Sequence, residues 1–316
     1  MKRLLLITNL YSGTRQGAKY LGDIVEIFCR ADYEVVVAAT TGPGDGTKIA
    51  RERAKDADVV VASGGDGTFN EVVAGVMESG VKVPIGYLPA GTTNDFASSL
   101  KLSTDLLQAA YDVVEGKPET IDIGSFNGRY FSYVASFGAF TNTSYDVPQG
   151  LKNSLGHLAY ILGGIRDVLT IRSVEMKFMN EDGHIYAGKY LFGAICNSTS
   201  MGGVLTLRAD LVNMNDGVFE VLLIKSPSNI IELQQILMAL TSQNYDNCPL
   251  IDFFSTSHLE ITADPDMPWT LDGEYQAGAR DIDIVNHFSA VSVLVNDHEK
   301  PGAPVHRLMD PFNRVV

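Results

Sequence analysis

The segment VVVASGGDGTFNEVVAG, Val59 to Gly75, holds the first residues that could do chemistry. A β-rich run stops at Gly64-Gly65-Asp66-Gly67-Thr68, and a helix-like run follows at once from Asn70. Glycines in that place let backbone N–H groups approach an anion, and the helix start adds the positive end of a dipole. Such a loop can cradle phosphate. The same residues also fit a purely structural role, since Thr68-x-x-Glu71 has capping-box spacing and Gly80 is a helix stop. The loop lacks the GK[ST] ending of a Walker A motif and is not GxGxxG, so it brings no lysine to the phosphates. An aspartate here makes sense where a divalent cation bridges it to the ligand, because Mg2+ favours carboxylates together with phosphate oxygens. Asp66 thus points to a metal nucleotide.

A second segment, VPIGYLPAGTTNDFASSL, runs from a strand through Pro89 and Gly91 into a helix from about Asn94, with Thr92 and Asp95 at capping-box spacing. A third polar turn, Asn9 to Gly13, follows the first strand. Glycine turns at the carboxyl ends of strands lie where open α/β sheets bind ligands. Two more carboxylates stand beside glycines, Asp272-Gly273 in WTLDGEYQ and Asp216-Gly217 in NMNDGV, and each also reads as an ordinary turn. If the LDGE segment is extended, Asp272 and Glu274 point to the same face. The six histidines show no metal-ligand spacing and no GxSxG is present, which leaves hydrolase chemistry without an anchor.

The elements that must position these residues follow from periodicity. From Arg3 to Ile123, short β-rich runs alternate with helix-like segments at Gly17 to Arg30, Lys48 to Lys55, from Asn70 and from about Asn94. This predicts a mainly parallel sheet covered on both faces. After Ile123, Asn127-Gly128 and Asp182-Gly183 each lie between alternating runs and signal hairpins. The second half reads as mostly antiparallel β, with helices at roughly Leu155 to Leu169 and Asn229 to Ser242. The pattern change near Gly124 sets the expected boundary between an α/β domain and a mostly antiparallel β domain.

A chain of 316 residues with 45% hydrophobic composition has apolar side chains enough for a core. The formal charge of −14 disfavours a general nucleic-acid binder and broad attraction to an anionic membrane. Three cysteines, far apart and never in a CxxC pair, argue against a disulfide framework or zinc ribbon. No long apolar stretch predicts a spanning helix, so the expectation is a soluble, cytoplasmic chain. Leu151 to Lys177 mixes Lys152, Arg166, Arg172 and Lys177 with apolar residues, which fits either a bilayer-touching surface or a helix packed on its own domain.

GGDGTFNEVVAG followed by LPAGTTNDFA resembles the diacylglycerol kinase catalytic-domain family, the bacterial soluble lipid kinases and their sphingosine kinase relatives. The resemblance extends through MGGVLTLRADLVNMNDGVFEV and LDGEY. It implies an ATP-dependent lipid kinase, with ATP and Mg2+ between two domains and a lipid such as diacylglycerol as acceptor at a membrane surface. Carried onto matching positions, it implies nucleotide contacts at Asn9, Ser12, Gly13, Thr40, Gly65, Asp66, Gly67, Thr68, Asn70, Glu71, Gly91, Thr92, Asn94 and Asp95. Leu10 stands where many relatives have proline. Asp272 becomes the implied base, and Glu274 shares that role or holds Mg2+ through water. Asp66, Asp95 and Asp122 would complete the catalytic Mg2+ network. A structural Mg2+ would sit on the Asp216 carboxylate and the carbonyls of Asn213 and Val218. A homodimer is implied as well, and the implied architecture is a Rossmann-like α/β domain over 1–124, rejoined by 296–316, with an antiparallel β-sandwich domain over 125–295.

Two other readings remain open on the sequence. NAD kinases share GGDGT, although their second loop is of a GxxGFL type rather than GTTNDFA. A regulatory protein that binds nucleotide or lipid without catalysis could keep the fold, but it would be expected to lose one of Asp66, Asn94, Asp95, Asp272 or Glu274. Diacylglycerol, a long-chain sphingoid base and a glycerophospholipid head group all present the primary alcohol that such a kinase takes.

Overall fold

The protein is described from a computed structural model covering residues 1–13, 15–138, 173–201, 205–207 and 212–296. Strands β1 (Lys2–Thr8), β2 (Tyr33–Ala39), β3 (Val59–Gly64) and β4 (Ile85–Pro89) pair in parallel in the order β2-β1-β3-β4. In β1, β3 and β4 successive residues are buried on both faces of the sheet. Leu4, Leu6, Val59 and Val61 join one core cluster, while Leu5, Ile7, Val60 and Ala62 join another. The first cluster takes Ile24 and Phe28 of α2 (Leu21–Arg30), which follows the single-turn α1 (Gln16–Lys19). The second takes Ala50 of α3 (Asp45–Arg53) and Phe69, Val72, Val73 and Val76 of α4 (Asp66–Ser79).

Helix starts differ from the sequence expectation in instructive ways. The run from Gly17 is interrupted at Tyr20. Helix α4 begins at Asp66 rather than Asn70, because Gly65 is its N-cap and Thr68 is already inside the helix. The helix expected from Asn94 is two: the short α5 (Asp95–Ser99), then α6 (Leu106–Glu115), capped by Asp105, whose carboxylate accepts the Leu107 and Gln108 amides.

The second half carries β5 (Lys117–Phe126), β6 (Arg129–Phe131), β7 (Val134–Gly138), β8 (Val174–Asn180), β9 (Ile185–Cys196), the short pair β10 (Ser200–Met201) and β11 (Leu205–Thr206), and β12 (Phe219–Lys225). Helix α7 (Ile230–Ser242) follows, capped by Asn229, then β13 (Ile251–Thr256), β14 (His258–Thr262), β15 (Trp269–Leu271), β16 (Glu274–Gln276) and β17 (Asp281–Val295). Pairing within this half is antiparallel, as expected.

The expected split into a Rossmann-like domain and a separate β-sandwich is not clear-cut. One hydrogen-bonded sheet runs β16-β15-β7-β9-β8-β14-β17-β4-β3-β1-β2 through both halves of a mixed α/β fold. The physical reason is β17, whose first part pairs with β14 and whose Val293 lies parallel beside Ile85 of β4. A register shift between His287 and Val291, with Ser289 at φ 48, lets one strand serve two sheet directions. Strand β5 continues through residues 124 and 125, and the chain is back beside β4 before Asn296. Residues 297–316, the helix expected at Leu155 to Leu169 and the basic segment up to Arg172 lie outside the described residues. No helix among the described residues is long and apolar enough to cross a membrane.

Candidate active site

Three loops meet at the carboxyl ends of β1, β3 and β4. A Cβ on Gly13 would stand 2.4 Å from the Ala90 carbonyl oxygen, and one on Gly91 would stand 2.6 Å from Gly65 Cα. Only glycine allows these approaches, so the spacing of the three glycine turns in sequence becomes contact in space. Ser12 Oγ donates to the Ala90 carbonyl at 3.3 Å, and Asn9 Oδ1 accepts the Tyr11 amide at 3.0 Å. Asn94, at φ 53, accepts the Gly91 amide on Oδ1 at 3.0 Å and donates from Nδ2 to the Gly91 carbonyl at 3.1 Å, stapling its own loop. Thr40 is buried at the end of β2, and Thr92 is exposed.

The carboxylates of this region organise backbone. Asp66 Oδ2 accepts the Asp95 amide at 2.9 Å and its Oδ1 accepts the Phe96 amide at 3.3 Å, so the first loop caps the helix of the second. Burial raises the Asp66 carboxyl above its ordinary value against the pull of those amides, and the neighbouring Asp95 charge raises it further. Glu71 accepts the Gly44 and Gly46 amides at 2.7 and 2.8 Å. It therefore caps α3, and the expected Thr68–Glu71 capping box does not form. Asn70 receives the Ser132 hydroxyl at 3.0 Å, tying α4 to the second half. Helix α4 itself has no side-chain cap, which leaves its first-turn amides free for an anion.

Across from α4 lies the 271–274 hairpin. Asp272 and Gly273 have φ 51 and 81, the two left-handed residues of a tight β-hairpin turn between β15 and β16. The segment is not extended, so Asp272 and Glu274 do not share a face. Asp272 points inward, 5% exposed, with Oδ2 on the Ser132 amide at 2.6 Å and Oδ1 on the Tyr133 and Val134 amides at 3.0 Å each. Burial pushes its carboxyl up to about 7, outweighing the three amides, and the Asp66 charge adds to the rise. Glu274 points outward, and its Oε1 lies 2.8 Å from where a Cβ on Gly67 would be. Residues more than two hundred positions apart in the chain thus meet at the head of α4.

Asp122 organises backbone in the same way. It is fully buried, and its two oxygens accept the Gly217 amide at 2.6 Å and the Ser289 amide at 2.8 Å. Asp122 therefore fastens the 213–218 loop to β17. Within the loop, the exposed Asp216 accepts the Val218 amide at 3.2 Å. Glu220 is buried with no hydrogen-bond partner on Oε2, and burial and then Asp216 raise its carboxyl to about 8.

Among the described residues no group of three or more His, Cys, Asp or Glu side chains forms a cage for a metal ion. The crowding of Asp66, Asp95 and Asp272 still fits a cation held through water and phosphate oxygens, the usual manner of Mg2+.

Sequence reasoning did not single out Arg129, Tyr133, Tyr87 or Glu220. Arg129 was visible only as part of a hairpin signal, and its partner Glu274 lies in a distant turn. Tyr87 and Tyr133 looked like core residues, which they are, yet the Tyr87 hydroxyl donates to Asp66 at 3.4 Å and burial beside Asp272 and Asp66 raises Tyr133.

Comparison with known proteins gives a concordant result. A family model described as the diacylglycerol kinase catalytic domain matches residues 3–126. A diacylglycerol kinase of Bacillus subtilis (strain 168) is 35% identical over 298 residues, covering 93% of this chain and 97% of its own. One of Staphylococcus aureus (strain MRSA252) is 33% identical over 276 residues, covering 87% and 86%. A crystal structure of a diacylglycerol kinase from Bacillus anthracis str. Sterne aligns with a TM-score of 0.76, covering 93% of this chain and 97% of that one. At 21% identity, that is a likeness of fold.

Proposed function

The chain belongs to the diacylglycerol kinase catalytic-domain family and is an ATP-dependent lipid kinase, and we propose that its acceptor is the primary hydroxyl of diacylglycerol, giving phosphatidic acid. The observation that carries the reading is the meeting of the Asp272-Gly273 hairpin with the uncapped head of α4. Phosphoryl transfer asks the protein for positioning, electrostatics and a group to accept a proton. In this account the ATP phosphates lie on the amides of Gly65, Gly67 and Thr68, flanked by Asn9, Ser12, Gly13, Gly91 and Asn94. Thr40, Asn70, Thr92 and Glu71 shape the surrounding loops.

The acceptor oxygen attacks the γ-phosphorus while the bond to the bridging β–γ oxygen breaks and ADP leaves. Asp272 takes the hydroxyl proton, a task that suits a carboxyl raised to about 7, near the working pH of a cell. Mg2+, when bound, would neutralise charge on the transferring phosphates. Asp66, Asp95 and Asp122 would hold it through water, and the Asp216 carboxylate with the carbonyls of Asn213 and Val218 would hold a second, structural ion. The nucleotide site falls to residues 1–124 and the lipid site to 125–295. The protein then meets its lipid peripherally, at the cytoplasmic membrane surface.

The test is a panel of acceptors offered with ATP and Mg2+: diacylglycerol in mixed micelles, a long-chain sphingoid base and NAD. Fastest initial transfer to diacylglycerol is the expected result. Transfer to NAD with none to lipid would replace the reading with that of an NAD kinase.

A further inference from the structure

Arg129 opens β6 immediately after the Asn127-Gly128 turn, whose φ values of 47 and 83 mark a tight hairpin. Its guanidinium crosses to the neighbouring 271–276 hairpin and meets acceptors on three successive residues. Nη2 pairs with Glu274 Oε2 at 3.0 Å, and Nη1 donates to the Tyr275 carbonyl and to Gln276 Oε1, each at 3.0 Å. A planar fork that meets three acceptors fixes a side chain's direction in a way that a point charge on lysine cannot. The direction fixed here matters, because the second oxygen of Glu274 is the one beside Gly67. A carboxylate is thus held at the head of a helix that lacks a side-chain cap.

That arrangement presents an electrostatic problem once phosphate arrives. The terminal phosphates of ATP and an unneutralised carboxylate repel each other at close range, and both seek the same helix head. Arg129 resolves the conflict by keeping a positive charge on the Glu274 side away from Gly67. We infer that Arg129 is a positioning residue for the binding of ATP: it aims the Glu274 carboxylate at the head of α4 and offsets its charge, so that carboxylate and terminal phosphates can share that place. The inference rests on the proposed ATP site at α4, and it concerns the nucleotide alone.

The experiment measures affinity for ATP and for AMP by calorimetry in Mg2+ buffer, without any lipid, for the wild type, Arg129→Ala, Arg129→Lys and Arg129→Ala/Glu274→Gln. Arg129→Ala should weaken ATP binding about tenfold, equivalent to roughly 1.4 kcal/mol, and leave AMP binding unchanged. The double variant should recover most of the ATP affinity, since the repelling charge is gone. Arg129→Lys should fall between, because an ammonium can pair with Glu274 but cannot reproduce the three-acceptor clamp. Melting temperatures check that each variant is folded, and a half-exposed side chain at a hairpin should change them little. Equal ATP affinity in the wild type and Arg129→Ala, an equal loss for AMP, or no recovery in the double variant would each overturn the inference. No ATP binding by the wild type would instead count against the proposed nucleotide site itself.

Discussion

Replacing Asp272 by asparagine alters one group and separates two effects that burial has joined. The asparagine carbonyl oxygen can keep the Tyr133 and Val134 amides, but its NH2 group then faces the Ser132 amide, which Oδ2 accepts at 2.6 Å in the native chain. That substitution removes one hydrogen bond to the carboxyl, a loss of about 0.5–1.5 kcal/mol while the group is protonated. Proton linkage works in the opposite direction. Burial raises the carboxyl from 3.8 to about 7, so the folded protein holds this proton more tightly than the unfolded chain does. The stabilisation is fully present below the unfolded value and is lost as pH rises through about 7, at roughly 1.4 kcal/mol per unit and about 4 kcal/mol in all. An asparagine carries no such slope. Urea unfolding of both proteins at intervals from pH 5 to pH 8 should find the variant less stable at pH 5, with the gap narrowing by roughly 3 kcal/mol by pH 8. In the same buffers, wild-type kcat/KM should rise to a plateau above pH 7, and the variant should be about 100- to 10,000-fold less active. Stability curves that run parallel across this range would refute the claim that burial governs Asp272.

Other perturbations test neighbouring parts of the account. Asp122→Ala strands the Gly217 and Ser289 amides in a fully buried place and should cost about 2–4 kcal/mol in denaturant unfolding. Gly91→Ala sets a methyl group 2.6 Å from Gly65 Cα and should weaken ATP binding at least about tenfold in a direct titration. Gly44→Ala, with open space around it but φ 83, should leave ATP affinity intact and cost only about 1–2 kcal/mol of stability. Glu220, raised to about 8, loses its stabilising contribution as pH climbs from its unfolded value towards 8, and a cation on Asp216 would favour its charged form. Mg2+ should therefore raise Tm more at pH 8 than at pH 5, and Asp216→Asn should abolish the difference.

Much of this architecture is legible in the chain because it rests on local rules. Leu4 to Ile7 and Val59 to Ala62 announce strands buried on both faces, and Asn127-Gly128 announces a hairpin with its turn type. Glycines at 13, 65 and 91 signal close approach, and their contacts in space are of the kind such residues permit. What the sequence hides is which partner each polar group finds. Glu71 is spaced to cap its own helix yet caps α3, and Asp66, which the sequence marks for a cation, also caps α5, because tertiary packing brings those helices to them. Asp272 and Glu274 alternate as strand residues would, but a two-residue turn separates their faces. The continuous sheet depends on a bulge near Ser289 that no composition signal marks.

The most direct measurement is single-turnover transfer of the labelled γ-phosphate of ATP to diacylglycerol in mixed micelles with Mg2+, comparing the wild type with Asp272→Asn and Gly91→Ala. The account predicts label in phosphatidic acid from the wild type, a rate reduced at least about 100-fold in Asp272→Asn, and transfer in Gly91→Ala that recovers as ATP is raised. Wild-type rates retained by Asp272→Asn, or label that enters no lipid, would contradict it.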